Sequence, residues 1–226
     1  MMKQVLSIGY HIEQCKNLFT PNFSVVYERN KTEKEIFLFG LKLFVYTYLL
    51  YVGIYIFIYL LGYPYFANLN EMIRLDFEKK GYSSFSLVLN SYPWNVLYVL
   101  ASFSIILLLT SILSYAFARF LEEGKRSFRV HMGLCLHGMS ILLACLYIVF
   151  IANTIFPFNE NASIFVFSLL VSIWIFMFIL GTIFSTRIFV KGSYSYFGQN
   201  KRRGAFSWLV PFSLIVYFIF GIVTGI

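Results

Sequence analysis

The feature that most constrains this chain is a set of long apolar runs that no soluble fold could bury. Five segments stand out: residues 36–61, 96–117, 132–156, 164–184 and 206–223. A helix needs about 20 mainly apolar residues to cross the hydrocarbon core of a bilayer. Each run is apolar on every face, so its backbone must close its own hydrogen bonds, and helices are expected. A membrane barrel would instead show about 10-residue alternating segments, which the unbroken runs contradict. The composition agrees, with 59% hydrophobic and 12% charged residues. The expected fold is all-α: a polytopic transmembrane bundle of five helices behind an N-terminal amphipathic helix.

Charge orients the bundle. The net charge is +8, and in a chain this apolar it points to membrane orientation rather than nucleic acid. Lys3, Lys16, Arg29, Lys31 and Lys34 precede the first run. Arg119, Lys125, Arg126 and Arg129 lie between the second and third. Arg187, Lys191, Lys201, Arg202 and Arg203 lie between the fourth and fifth. With five crossings these fourteen cations share one side, against Arg74, Lys79 and Lys80 opposite. Lys42 lies inside the first run, near its basic end. The rule that basic segments stay inside puts the N-terminus in the cytoplasm and the C-terminus outside.

Two regions follow, 1–35 as a cytoplasmic segment and 36–226 as the transmembrane domain. Val5, Ile8, Ile12, Cys15 and Phe19 recur at steps of three and four, the pattern of an amphipathic helix that Pro21 would end. Its apolar face could meet the leaflet, a partner or the protein's own bundle. Thr32 and Glu35 form a capping box at the start of the first span. Residues 68–77 suggest a short surface helix stopped by Gly81. The sequons at Asn22, Asn30 and Asn161 are too short to carry weight.

Chemistry is sparse. No GxSxG, HExxH or phosphate-binding loop is present, and the adjacent Glu122 and Glu123 point in different directions. No enzymatic activity and no cofactor is expected. Three cysteines, Cys15, Cys135 and Cys145, form no CxxC pair. His131, Cys135 and Met139 share one helical face and are ligand types suited to a soft metal. One face cannot complete a coordination shell, so adaptable packing is the plainer reading. Gly133, His137, Ser140 and Ala144 form a stripe of mostly small residues suited to close helix packing. Tyr46, Tyr48, Tyr51, Tyr55, Tyr59, Tyr63 and Tyr65 partly resemble an interfacial belt. Several lie too deep for that and are expected to hydrogen-bond between helices. The two basic connections pair cations with aromatics. Lys125, Arg126, Phe128, Arg129, Lys201, Arg202 and Arg203 could anchor against headgroups or form a docking face.

These connections carry a resemblance. Leu18-Phe19-Thr20-Pro21 with Phe23 and Glu28, Gly124-Lys125-Arg126-Ser127-Phe128-Arg129, and Arg202-Arg203-Gly204-Ala205 are similar to segments of the Yip family of five-span membrane proteins, including its bacterial members. The resemblance implies a helical bundle without enzymatic activity. It also points to a bacterial inner membrane rather than a eukaryotic endomembrane. Eukaryotic members act as trafficking adaptors that bind small GTPases. The expected function is a non-enzymatic membrane scaffold or adaptor of Yip type. Its partners would be the bilayer and a membrane or cytoplasmic protein, not nucleic acid. The alternative is a small transport or permeation protein, or a subunit of a membrane complex.

Overall fold

The computed structural model describes residues 32–121, 126–155 and 164–224. The expected amphipathic helix in residues 1–20, the three sequons, Lys125 and the Glu122–Glu123 pair lie outside them. Among the described residues there are seven helices and no strand. They are α1 (Glu33–Leu61), α2 (Tyr63–Lys80), α3 (Ser84–Asn90), α4 (Asn95–Leu121), α5 (Phe128–Ile155), α6 (Ile164–Phe197) and α7 (Lys201–Thr224).

Local chemistry sets the ends. Thr32 caps α1 as expected: its amide donates to Glu35 Oε2 at 2.8 Å, and the Glu35 amide returns a bond to Thr32 Oγ1. Gly81 ends α2 in the left-handed conformation, φ 68°. Its amide and that of Tyr82 donate to the Glu78 and Phe77 carbonyls, a closed Schellman pair. The helix is longer than residues 68–77 and begins at Tyr63, with Pro64 in its first turn, where a missing N–H costs nothing. Ser83 caps the short α3 through the Ser86 amide.

Four helices, α1, α4, α5 and α6, are long and apolar enough to cross a membrane. The protein is therefore a helical bundle of multi-pass membrane character. The five expected crossings are met in four cases. The helix holding residues 206–223, α7, is not among the four, and three cations occupy its first turn. Hydroxyls within the long helices bond back to the carbonyl four residues earlier, as Thr47, Ser111, Ser140, Thr154 and Thr182 do. In an apolar surrounding this satisfies a group that has no water to turn to.

α5 is the hub. It packs along α1 on one side and α6 on the other, while α7 bridges α4 and α6 and α4 closes on α5. Two-thirds of its apolar stretch is buried, against 6% for that of α6. Glycine makes the closest approach. A Cβ on Gly40 would strike the Gly133 carbonyl oxygen, and one on Gly133 would lie 2.9 Å from the Ile36 carbonyl oxygen. Small residues let helix backbones touch in this way, which replaces the hydrophobic drive that lipid removes.

The fourth span corrects the sequence reading. Expected to stop at residue 184, α6 runs on to Phe197. Arg187 and Lys191 therefore sit on a helix rather than in a loop. At 1.5 Å per residue its 34 residues reach about 51 Å, well beyond a hydrocarbon core of about 30 Å. The connection to α7 shrinks to Gly198-Gln199-Asn200. Gly198 adopts φ 66°, and its amide donates to the Tyr194 carbonyl at 3.0 Å, an αL cap.

Candidate functional site

The starts of α1, α5 and α7 and the ends of α4 and α6 gather at one end of the bundle. Three cross-links between distant segments hold them there. Ser127 Oγ donates to Glu33 Oε2 at 2.7 Å, joining the α5 entry to α1. Arg203 Nη1 donates to the Leu121 carbonyl at 3.2 Å, joining α7 to the end of α4. Arg126 links the α5 entry to the α6–α7 connection. Its Nη2 donates to Ser193 Oγ at 3.0 Å and to Gln199 Oε1 at 3.3 Å.

Arg126 is the centre of this junction. It is only 8% exposed, and its Nε donates to His131 Nδ1 at 3.1 Å. Its guanidinium lies 4.2 Å from the centroid of the Phe197 ring, a cation–π contact. Its own carbonyl accepts from the Tyr115 hydroxyl at 3.0 Å. Several helices thus converge on one planar cation whose fork of donors suits several acceptors at once. Sequence reasoning grouped Arg126 with the docking cations. The structure turns it inward, because its partners are 67 and 73 residues away and no local pattern announces them.

The other docking candidates divide by exposure. Phe128, Arg129, Lys201, Arg202 and Arg203 are exposed at this same end, and Lys125 lies outside the described residues. Five of the seven therefore share one outward surface.

His131, Cys135 and Met139 are fully buried on one face of α5. His131 is held edge-on by Tyr115 and Phe189, at 5.5 and 5.3 Å between ring centres. It sits inside the bundle. Its Nδ1 accepts from Arg126, so Nε2 carries the proton. That atom faces the Ser111 backbone without a hydrogen bond of ordinary geometry. The adjoining guanidinium repels a cation, and among the described residues no cluster of three His, Cys, Asp or Glu is placed to hold a metal. His137 turns the other way and meets Phe39 of α1 in a T-shaped contact, 5.6 Å between ring centres.

Buried polar atoms without a partner continue from the junction into the bundle: Thr110 and Ser114 on α4, Ser185 on α6, and Trp208 Nε1 on α7. Two of the tyrosines bond between helices as expected. Tyr48 donates to the Val96 carbonyl at 2.7 Å, and Tyr55 donates to Asn95 Oδ1.

No protein-family model, no curated protein and no solved structure matches this chain.

Proposed function

We propose that this protein is a non-enzymatic integral membrane scaffold whose basic end is a docking face. One observation carries the reading: the entries to α1, α5 and α7 are braced to one another and to their neighbours by Glu33–Ser127, Arg126–Ser193 and Arg203–Leu121. Such bracing holds the exposed Arg129, Lys201, Arg202 and Arg203 in fixed relation, which a mere headgroup anchor does not need. In this reading α7 is a fifth crossing, since its 24 residues reach about 36 Å. The basic end then faces the cytoplasm and the C-terminus lies outside. The Yip-type connections at residues 124–129 and 202–205 belong to the same reading, as does a bacterial inner membrane.

The test is photocrosslinking from positions 129 and 202 in intact membranes, with Tyr217 as the lipid-facing control. A reproducible protein adduct from both positions, weakened on reversing the neighbouring Lys201 to Glu, is expected. Adducts only to lipid and to the chain itself would overturn the scaffold.

A permeation role is the second reading. The partnerless atoms of Thr110, Ser114, Ser185 and Trp208 favour it, since buried polar atoms of this kind are where internal water is found. Flux of protons or small solutes into vesicles carrying the purified protein distinguishes the two.

A further inference from the structure

At the end opposite the basic face, a cleft of about 170 Å³ opens between α1, α4 and α5. Four aromatic rings line it, those of Tyr51, Tyr55, Tyr92 and Phe150, with Asn95 and Thr154 as the polar groups. None of its lining residues is charged.

The walls are fixed from behind. Tyr92 is pinned by a reciprocal pair: its amide donates to Asn70 Oδ1 at 2.7 Å, and Asn70 Nδ2 donates to its carbonyl at 2.8 Å. Tyr55 is tied to Asn95 and lies parallel to Tyr92, 4° between planes. Tyr51 stacks on Tyr147 at 5.4 Å and leans on Phe150 at 5.5 Å. Rings held in this way lose little freedom when something binds between them.

The lining decides the chemistry. A metal ion would need anionic or imidazole ligands, and the cleft has neither. An anion would need cationic donors, also missing from the lining. Several π-faces around a small space attract a soft organic cation, the principle of aromatic cages. We propose that this cleft binds an alkylammonium group, with the ring faces of Tyr51, Tyr55, Tyr92 and Phe150 as walls. The Asn95 carboxamide oxygen and the Thr154 hydroxyl would receive any N–H the ligand retains. Two sources share this chemistry, a phospholipid headgroup and a free quaternary or primary ammonium solute.

Saturation-transfer NMR on the full chain in a maltoside detergent tests the site, with choline as probe and 3,3-dimethylbutan-1-ol as its uncharged isostere. Choline should bind saturably, in about the millimolar range, and the isostere at least tenfold more weakly. Tyr92→Phe should keep the binding and Tyr92→Leu should lose it. Equal binding of the two probes, no saturable choline signal, or an unaffected Tyr92→Leu would each overturn the proposal. The probe comparison uses the unaltered protein and is independent of any folding defect. Repeating it in phosphatidylglycerol vesicles with and without phosphatidylethanolamine separates the sources. Displacement of choline by the lipid identifies a headgroup site, and unchanged binding identifies a solute site.

Discussion

Gly40 of α1 and Gly133 of α5 meet backbone to backbone, with no room at either position for a single added carbon. Gly53, on the same helix as Gly40, has open space where its Cβ would stand, with nothing beyond its own stretch of helix within 4 Å. The pair makes a matched experiment. Gly133→Ala should destabilise the bundle by about 1–3 kcal/mol, because the carbonyl of Ile36 cannot yield as a side chain can. Gly53→Ala should be neutral or stabilising by up to about 1 kcal/mol, from helix propensity alone. Melting temperatures in detergent decide it, and equal shifts would mean that α1 and α5 do not approach this closely.

Arg126 and Arg129 stand three residues apart, one buried and one exposed. Arg126→Met should cost about 3 kcal/mol, since His131 Nδ1, Ser193 and Gln199 each lose a charged donor. Arg126→Lys should recover only part of this, because a point charge cannot serve three acceptors in a fork. Arg129→Met should change stability by less than about 0.5 kcal/mol. Thermal melts of the three variants measure the difference, and similar losses at both positions would contradict the buried junction.

The helical path predicts sidedness. Between the α2–α3 turn at Ser83 and the α6–α7 connection at Asn200 run α4, α5 and α6, three helices long and apolar enough to cross a membrane. Cysteines placed at these two sites, in a chain with its native cysteines replaced by alanine, should react with an impermeant maleimide from opposite sides. Reaction of both from one side would contradict three crossings between them.

On α2, Arg74 binds both Glu71 and Glu78 at 2.6 Å, and Lys80 binds Asp76 at 2.8 Å. The Arg74 hydrogen bond holds the Glu71 carboxyl below its ordinary range. A carboxyl depressed in the folded state contributes its stability above the unfolded pKa. That contribution is lost as pH falls through the folded value. The order of α2, followed by a spin label at position 79, should hold from neutral pH down to about 4.3 and decline below it. Glu71→Gln should remove part of that decline, and an identical profile in the variant would dissociate Glu71 from it.

What the sequence disclosed followed from rules that act over a few residues. Thr32 with Glu35, and Gly81 after a basic turn, are local signals, and both caps formed as expected. Apolar runs declare helices because lipid offers the backbone no other partner. The steps of three and four that join Tyr48, Tyr51 and Tyr55 put one face of α1 into the core, and that spacing is written in the chain itself. The end of α6 was hidden because Arg187 and Lys191 resemble the close of a span, yet a helix can carry cations past the membrane surface. Arg126 was hidden for a different reason. Lys125, Arg126 and Arg129 look alike along the chain, and only the return of α6 decides that Arg126 faces inward. The tyrosine cleft needs Tyr92 and Asn95, which a connection brings back over α1.

The hub position of α5 also sets an order of events during synthesis. Helix α1 finds its main neighbour only when α5 has left the ribosome, and α4 finds its own only when α7 has. Two early helices therefore enter the bilayer with little to hold each other, and the chain must keep them near one another until later segments arrive. Whatever inserts this protein into a membrane therefore meets two waiting helices, α1 until α5 arrives and α4 until α7 does.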